Sequence, residues 1–305
     1  MSGASNDGKR EFKRFGWQGI VLTVPTDWEL VSTRGDFESG FVALADNADV
    51  RLQIKWDAAD SRSAPSDSAG RYLRGMRKQT KKNGQDITVN RHLSLASLRN
   101  KKLECYEWIT DRRGTGMVTL CEECERMVHL IVLAEADESV RNLSRTIFAS
   151  LEDHPADDTL WKFYDVEFRS PPYLRLKKYE LKTGCIRMQF QKRSEQMELV
   201  RASLARVLLR DTSLEDWFTE FYSDALKRTS WEVSPRSYHG HEGLNLTGRP
   251  WLFFDPLRLV GRGKKLRAAC WHCPETNRIF IVSHLSKREP EVMQRVVEST
   301  VCCNS

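Results

Sequence analysis

TLCEECERMVHLIVL (119–133) and WHCPETNRIFIVSHL (271–285) each read as a strand, a tight turn and a second strand, with apolar residues crowding the return strand. The two stretches align without a gap on Cys-x-Glu-x-x-Arg, placing Cys121, Glu123 and Arg126 against Cys273, Glu275 and Arg278. A match of this kind about 150 residues apart, in a chain of 305 residues, points to two copies of one domain.

Working outward, each copy continues in the same order. GWQGIVLTVPTDWELV (16–31) and WKFYDVEFRSPPYLRL (161–176) open the halves as paired strands around proline turns. DVRLQIKW (49–56) and CIRMQFQK (185–192) alternate apolar and polar residues and read as half-buried antiparallel strands. A helix follows in each, over 68–84 and over 213–230; the second carries the stripe Leu214, Trp217, Phe218, Phe221, Tyr222, Ala225 and a capping-box start at Ser213 and Asp216. Each half ends in a helix, with Val140, Leu143, Ile147 and Leu151 in one stripe and Val292, Val296, Val297 and Thr300 in the other. The expected fold class is α+β: two tandem, pseudo-two-fold related copies of an antiparallel sheet packed with helices. The expected divisions are a flexible tail over 1–15, a first repeat over 16–155 and a second over 156–305. The second repeat carries an inserted amphipathic helix at about 195–212, from the spacing of Met197, Val200, Leu204, Val207 and Leu208.

The Pro-Trp turn in VPTDWEL (24–30), followed by sheet, helix, meander and final helix, resembles the domain shared by the Mog, PsbP and DcrB families. The resemblance implies a Mog/PsbP-like fold and a non-enzymatic binding role on a GTPase or a larger assembly. It carries no functional residue over to this chain.

Composition bounds the remaining classes. Apolar residues are 40% and charged residues 30% of the chain, a folding composition. The longest apolar runs, such as Leu130 to Ala134, are far below the roughly 18 residues of a membrane span, so a cytoplasmic protein with no membrane partner is expected. The eight cysteines then read as thiols, metal ligands or core residues. Residues 1–155 carry 23 basic against 23 acidic side chains and residues 156–305 carry 25 against 19, so the whole net charge of +6 belongs to the second half.

Chemistry has few footholds. No GxGxxG, P-loop, GxSxG, HExxH or EF-hand pattern occurs, and RRGTG (112–116) and GRGKK (261–265) read as hairpin turns. Cys121 and Cys124, with Cys270 and Cys273, supply two CxxC pairs that could hold one tetrahedral zinc; ordinary buried thiols, and so no cofactor, are the preferred alternative. Cys302 and Cys303 could instead join Cys273 within the second half. A redox reading of Cys270-Trp271-His272-Cys273 lacks the strand-to-helix setting that activates a thiol. His239 and His241, in YHGHEG, offer a His-x-His with Glu242, although the composition fits a solvated turn better. Basic residues gather at Arg74, Arg77, Lys78, Lys81 and Lys82 on the first helix, and at Arg258, Arg262, Lys264, Lys265 and Arg267 in the second half. Either group could contact RNA phosphates or an acidic partner. The leading expectation is a non-enzymatic interaction module that presents a composite surface from both repeats to a protein partner. The alternatives are an RNA- or ribosome-associated protein and a thiol- or metal-dependent enzyme. No small-molecule substrate is identifiable.

Overall fold

The computed structural model describes residues 10–60, 62–98, 101–154, 157–226, 229–250, 264–287 and 291–303. Among the described residues strand outweighs helix by 52% to 19%, which corrects the expected α+β class: they are predominantly antiparallel β, and the helices are accessories to the sheets. The chain divides into two compact units, Met1–Pro155 with Lys162–Tyr164, and Ala156–Trp161 with Asp165–Ser305.

In the first unit β1 (Phe12–Trp17) and β2 (Ile20–Pro25) form a hairpin, so Phe12–Phe15, inside the stretch expected as a tail, belong to a strand. β3 (Glu29–Gly35), β4 (Gly40–Ala45), β5 (Val50–Ala58), β6 (Thr88–Arg91), β7 (Lys102–Ile109), β8 (Arg112–Cys121) and β9 (Arg126–Glu135) make a seven-stranded sheet in the order β3-β4-β5-β9-β8-β7-β6. Helix α1 (Pro65–Lys82) crosses β7 and β8, and α2 (Arg141–Ala149) follows the last strand. Proline at the first turn of α1, Asp67 beside it and Lys81 and Lys82 at the far end suit the helix macrodipole.

RRGTG is not a turn but the start of β8, where Gly114 and Gly116 lie opposite Trp108 and Tyr106. A Cβ at Gly116 would fall 2.2 Å from the Tyr106 ring, so the glycines let two large aromatic rings lie against the sheet. These rings join Leu73, Val118, Leu120 and Ile131 in the core beneath α1.

After β10 (Thr159–Phe163) and β11 (Val166–Ser170), the second unit builds β12 (Arg175–Lys182), β13 (Cys185–Lys192), β14 (Glu195–Ser203), β15 (Thr229–Tyr238), β16 (His241–Pro250), β17 (Lys265–Cys273) and β18 (Arg278–Ser286). Their order is β12-β13-β14-β18-β17-β16-β15. The helices are α3 (Ala205–Leu208), α4 (Leu214–Phe221), α5 (Ser223–Leu226) and α6 (Glu291–Ser299).

Two helix expectations fail here. The inserted helix at 195–212 is largely β14, a strand paired on both sides by β13 and β18 and buried on both faces, so its dense apolar content has no period of two to read. The helix over 213–230 starts as expected, with Ser213 Oγ accepting from the Asp216 amide at 3.0 Å, but it breaks at Tyr222, whose hydroxyl donates to Glu198 Oε1 at 2.6 Å. The true counterpart of β5 by strand order is therefore β14, not 185–192.

His129 on β9 lies beneath α1, 4.9 Å edge-on from the Tyr72 ring, with its Nε2 hydrogen-bonded to the Tyr106 hydroxyl. Burial, then the charge of Lys55 across the strand pair, lowers its pKa to about 4. A histidine held neutral in the fold takes up a proton on unfolding, so its contribution is complete above about pH 6.5 and is lost as pH falls towards 4. Urea denaturation of the intact chain should show this loss, on the order of 3 kcal/mol over that window, and His129→Gln should flatten it.

Candidate metal centres and basic surfaces

The hairpin that carries Cys-x-Glu-x-x-Arg closes identically in both sheets. Cys121 pairs with Arg126 at the end of β8 and β9, and Cys273 pairs with Arg278 at the end of β17 and β18. The residue before each arginine, Glu125 at φ 50° and Asn277 at φ 56°, takes the left-handed conformation that closes the turn. The chain then returns to the same place after its last helix. An isolated bridge Val21↔Glu152 sets Asp153 and His154 beside Cys121, and a bridge Glu167↔Val301 sets Cys302 and Cys303 beside Cys273.

Two groups of metal-capable side chains result, each internal to one unit. In the first, Cys121, Cys124, Asp153 and His154 have ligand atoms within 4.8 Å of one another. Cys121 Sγ lies 3.2 Å from His154 Nδ1, and His154 Nε2 lies 2.8 Å from Glu123. Lys101 forms an ion pair with the fully buried Asp153, so a cation already sits on that carboxylate. In the second, His241, Cys273, Cys302 and Cys303 fall within the same limit. Cys302 Sγ is 3.8 Å from Cys303 Sγ, and Cys303 Sγ is 3.6 Å from His241 Nε2. His241 reaches this point because the two-residue loop His239–Gly240 has positive φ at both positions, a type I′ hairpin turn with Tyr238 opposite His241. The His-x-His pair is thereby split: His239 Nε2 is 2.8 Å from the Val297 carbonyl, and His241 alone faces the thiols.

Of the four cysteines expected to share a zinc, Cys121 and Cys124 join the first group and Cys273 the second, while Cys270 joins neither. Cys270 is on the opposite face of β17, in the core with Val200, Leu246, Ala268 and Ile281, because residues three apart on a strand face opposite ways. His154 and Asp153 were not visible as candidates. Their only signal was position, directly after a terminal helix.

No described thiol is shown activated as a nucleophile. All eight cysteines are free. Burial raises Cys270 far above the usual thiol range, Cys302 to about 12, and Cys105 and Cys121 to about 11, and it also raises Cys185 and Cys303. The redox reading needs an activated thiol at Cys270, and burial disfavours ionisation there.

The basic residues behave differently in the two units. Arg74, Arg77, Lys78, Lys81 and Lys82 are all exposed on α1, with Leu73 buried on its inner side. Arg258 and Arg262 lie outside the described residues. Lys265 is exposed and Lys264 half-buried, whereas Arg267 is largely buried within β17, where it lines a cavity with Arg236, Asn245 and Thr247.

No protein-family model and no curated protein matches this sequence. Among solved structures, the solution structure of cyanobacterial PsbP (CyanoP) from Synechocystis sp. PCC 6803 is similar over 50% of this chain and 99% of its own, at 14% identity and a TM-score of 0.36. The WD40 domain of SCAP from fission yeast spans 91% of this chain and 95% of its own, at 6% identity and a TM-score of 0.15. Neither likeness carries a fold-family assignment or a functional property to this chain. No helix among the described residues is long and apolar enough to cross a membrane.

The two hairpin arginines differ in what they hold. Arg126 is almost wholly buried and donates to the carbonyls of Gln18 and Phe37 at 2.9 Å and of Asp153 at 2.5 Å, with the Phe37 ring 4.2 Å beneath the guanidinium. Arg278 is a partly exposed partner of Asp165, which Arg201 also engages. Arg126→Met strands three acceptors and should cost about 3 kcal/mol in urea denaturation, while Arg278→Met should cost about 1 kcal/mol or less.

Proposed function

We propose that this chain is a non-enzymatic interaction protein whose docking face for a protein partner includes the aliphatic triplet Leu204, Val207 and Leu208. The observation that supports it is their exposure, 58%, 55% and 36%, within five consecutive residues. Single exposed aliphatics need no explanation, but a cluster held rigidly in water does. The cluster is tied to the sheet. The Ala205 amide donates to the Asn277 carbonyl at 3.1 Å and the Arg206 amide to Asn277 Oδ1 at 2.8 Å, which ties α3 to the β17–β18 turn. Leu204 itself has φ 61°, a conformation that costs a leucine about 1 kcal/mol or more and projects its side chain into solvent. Exposed Arg206 lies within the triplet and exposed Arg210 just beyond it, and the net positive charge of the second half suits an acidic partner.

A second reading, RNA association, has one specific support: the exposed basic face of α1, which carries five cations and no acidic residue between Arg74 and Lys82.

The test pairs Leu204→Asn, which tolerates the left-handed backbone, with Val207→Asp. Both variants should keep the melting temperature within a few degrees, Leu204→Asn matching or exceeding the parent, because neither side chain is buried. In quantitative affinity purification from native lysate treated with nuclease, a stoichiometric protein partner should fall at least about tenfold with the double variant, the loss of about 1.4 kcal/mol of binding. A partner retained by the double variant, or one lost on nuclease treatment alone, contradicts the proposal.

A further inference from the structure

We propose that His241, Cys273, Cys302 and Cys303 form a closed tetrahedral Cys3His site for zinc. Zinc in such a site bonds thiolate sulfur at about 2.3 Å and imidazole nitrogen at about 2.0–2.1 Å, so a regular tetrahedron has sulfur–sulfur edges of about 3.8 Å and sulfur–nitrogen edges of about 3.6 Å. The Cys302–Cys303 and Cys303–His241 separations are 3.8 and 3.6 Å. Two of the six edges therefore already have the length the metal requires, and the remaining ligand atoms lie within 4.8 Å. Three sulfurs and one imidazole are a borderline-soft donor set, which selects zinc over magnesium or calcium. Four protein ligands leave no open position, so the site is structural, not catalytic.

The four ligands come from three separate stretches of the second unit: the start of β16, the end of β17 and the segment after α6. They are brought together without strain on the backbone pairing. Cys273 ends its strand opposite Arg278, and the Cys302 carbonyl accepts from Thr276 Oγ1 at 3.0 Å, which anchors the last turn of chain over the hairpin. Glu275 is the present competitor. Its Oε2 lies 3.1 Å from Cys273 Sγ and 3.4 Å from His241 Nε2, on a side chain 62% exposed that can swing into water as the thiol proton leaves and the metal enters. Zinc binding displaces thiol protons to solvent and clamps the C-terminal segment to the β15–β16 turn.

The group in the first unit occupies the matching place in its own sheet but is the poorer site. It has two sulfurs instead of three, and the ammonium of Lys101 sits on Asp153, where a divalent ion would meet a like charge. It serves as the internal control.

The test uses the full chain, produced without a metal-binding tag, reduced anaerobically, given excess zinc and then freed of loose metal by a weak chelator. Elemental analysis should find about one zinc per chain in the parent and in Cys121→Ser, and less than about a tenth of that in Cys303→Ser and Cys273→Ser. Cys303 is only partly buried at the end of the described chain, so Cys303→Ser should keep the far-ultraviolet circular dichroism of the parent. Cobalt in place of zinc should give the intense visible absorption of a tetrahedral thiolate centre in the parent and in Cys121→Ser, and not in Cys303→Ser. A parent chain that retains no zinc overturns the proposal. So does a full complement of zinc in a correctly folded Cys303→Ser chain, or loss of the metal in Cys121→Ser.

Discussion

Each unit depends on one long-range pairing: the last strand of the sheet does not lie at its edge but enters the middle. β9 fills the gap between β5 and β8, and β18 the gap between β14 and β17. Until that strand is in place, each sheet is two separate sets of hairpins with an open edge in its centre, exposing unpaired amides and carbonyls. Insertion closes both edges at once and buries the pair β14 and β18 on both faces. It also fixes where the chain goes next. The helix after each inserted strand carries its C-terminal residues back to the hairpin turn, to the Cys121 position in one unit and the Cys273 position in the other.

That topology explains what could be read from the sequence. The hairpin 119–133 and its counterpart 271–285 were legible because they combine local signals: a polar turn between two apolar strands, with left-handed residues at Glu125 and Asn277. The body of α1 and the start of α4 were legible for the same reason, the latter through the Ser213 cap, whereas the first turn of α1 at Pro65 lay before the expected start at 68. The central strand β14 was not. A strand buried on both faces loses its alternation, and Met197, Val200, Leu204, Val207 and Leu208 then fall into helical spacing by accident, although the first two are in the core and the last three in solvent. Misreading β14 displaced the strand matching by one position and overweighted helix in the fold class.

The sites follow the same division. Cys302 and Cys303 could be named beside Cys273 from the sequence, and His241 only apart from them; the non-local return of the chain, which no spacing encodes, is what brings the four side chains together. The CxxC pairing of Cys270 with Cys273 misleads because strand geometry sends the two thiols to opposite faces. The exposed triplet was hidden by its own composition, since aliphatic residues in a helical stripe are expected to be covered. The structure instead holds them in water, on a four-residue helix tied to Asn277. The β17–β18 turn thus meets both features of interest in the second unit, with Cys273 at its start in the thiol–imidazole cluster and Asn277 bonded to the segment of the aliphatic triplet.

The docking reading is tested most directly by a photo-crosslinking amino acid placed at Val207, compared with the same group placed at Arg77 on the basic face of α1. The account predicts a single protein adduct from Val207 in cells, insensitive to nuclease, and no comparable adduct from Arg77. An RNA adduct from Arg77 with no protein adduct from Val207 would contradict it.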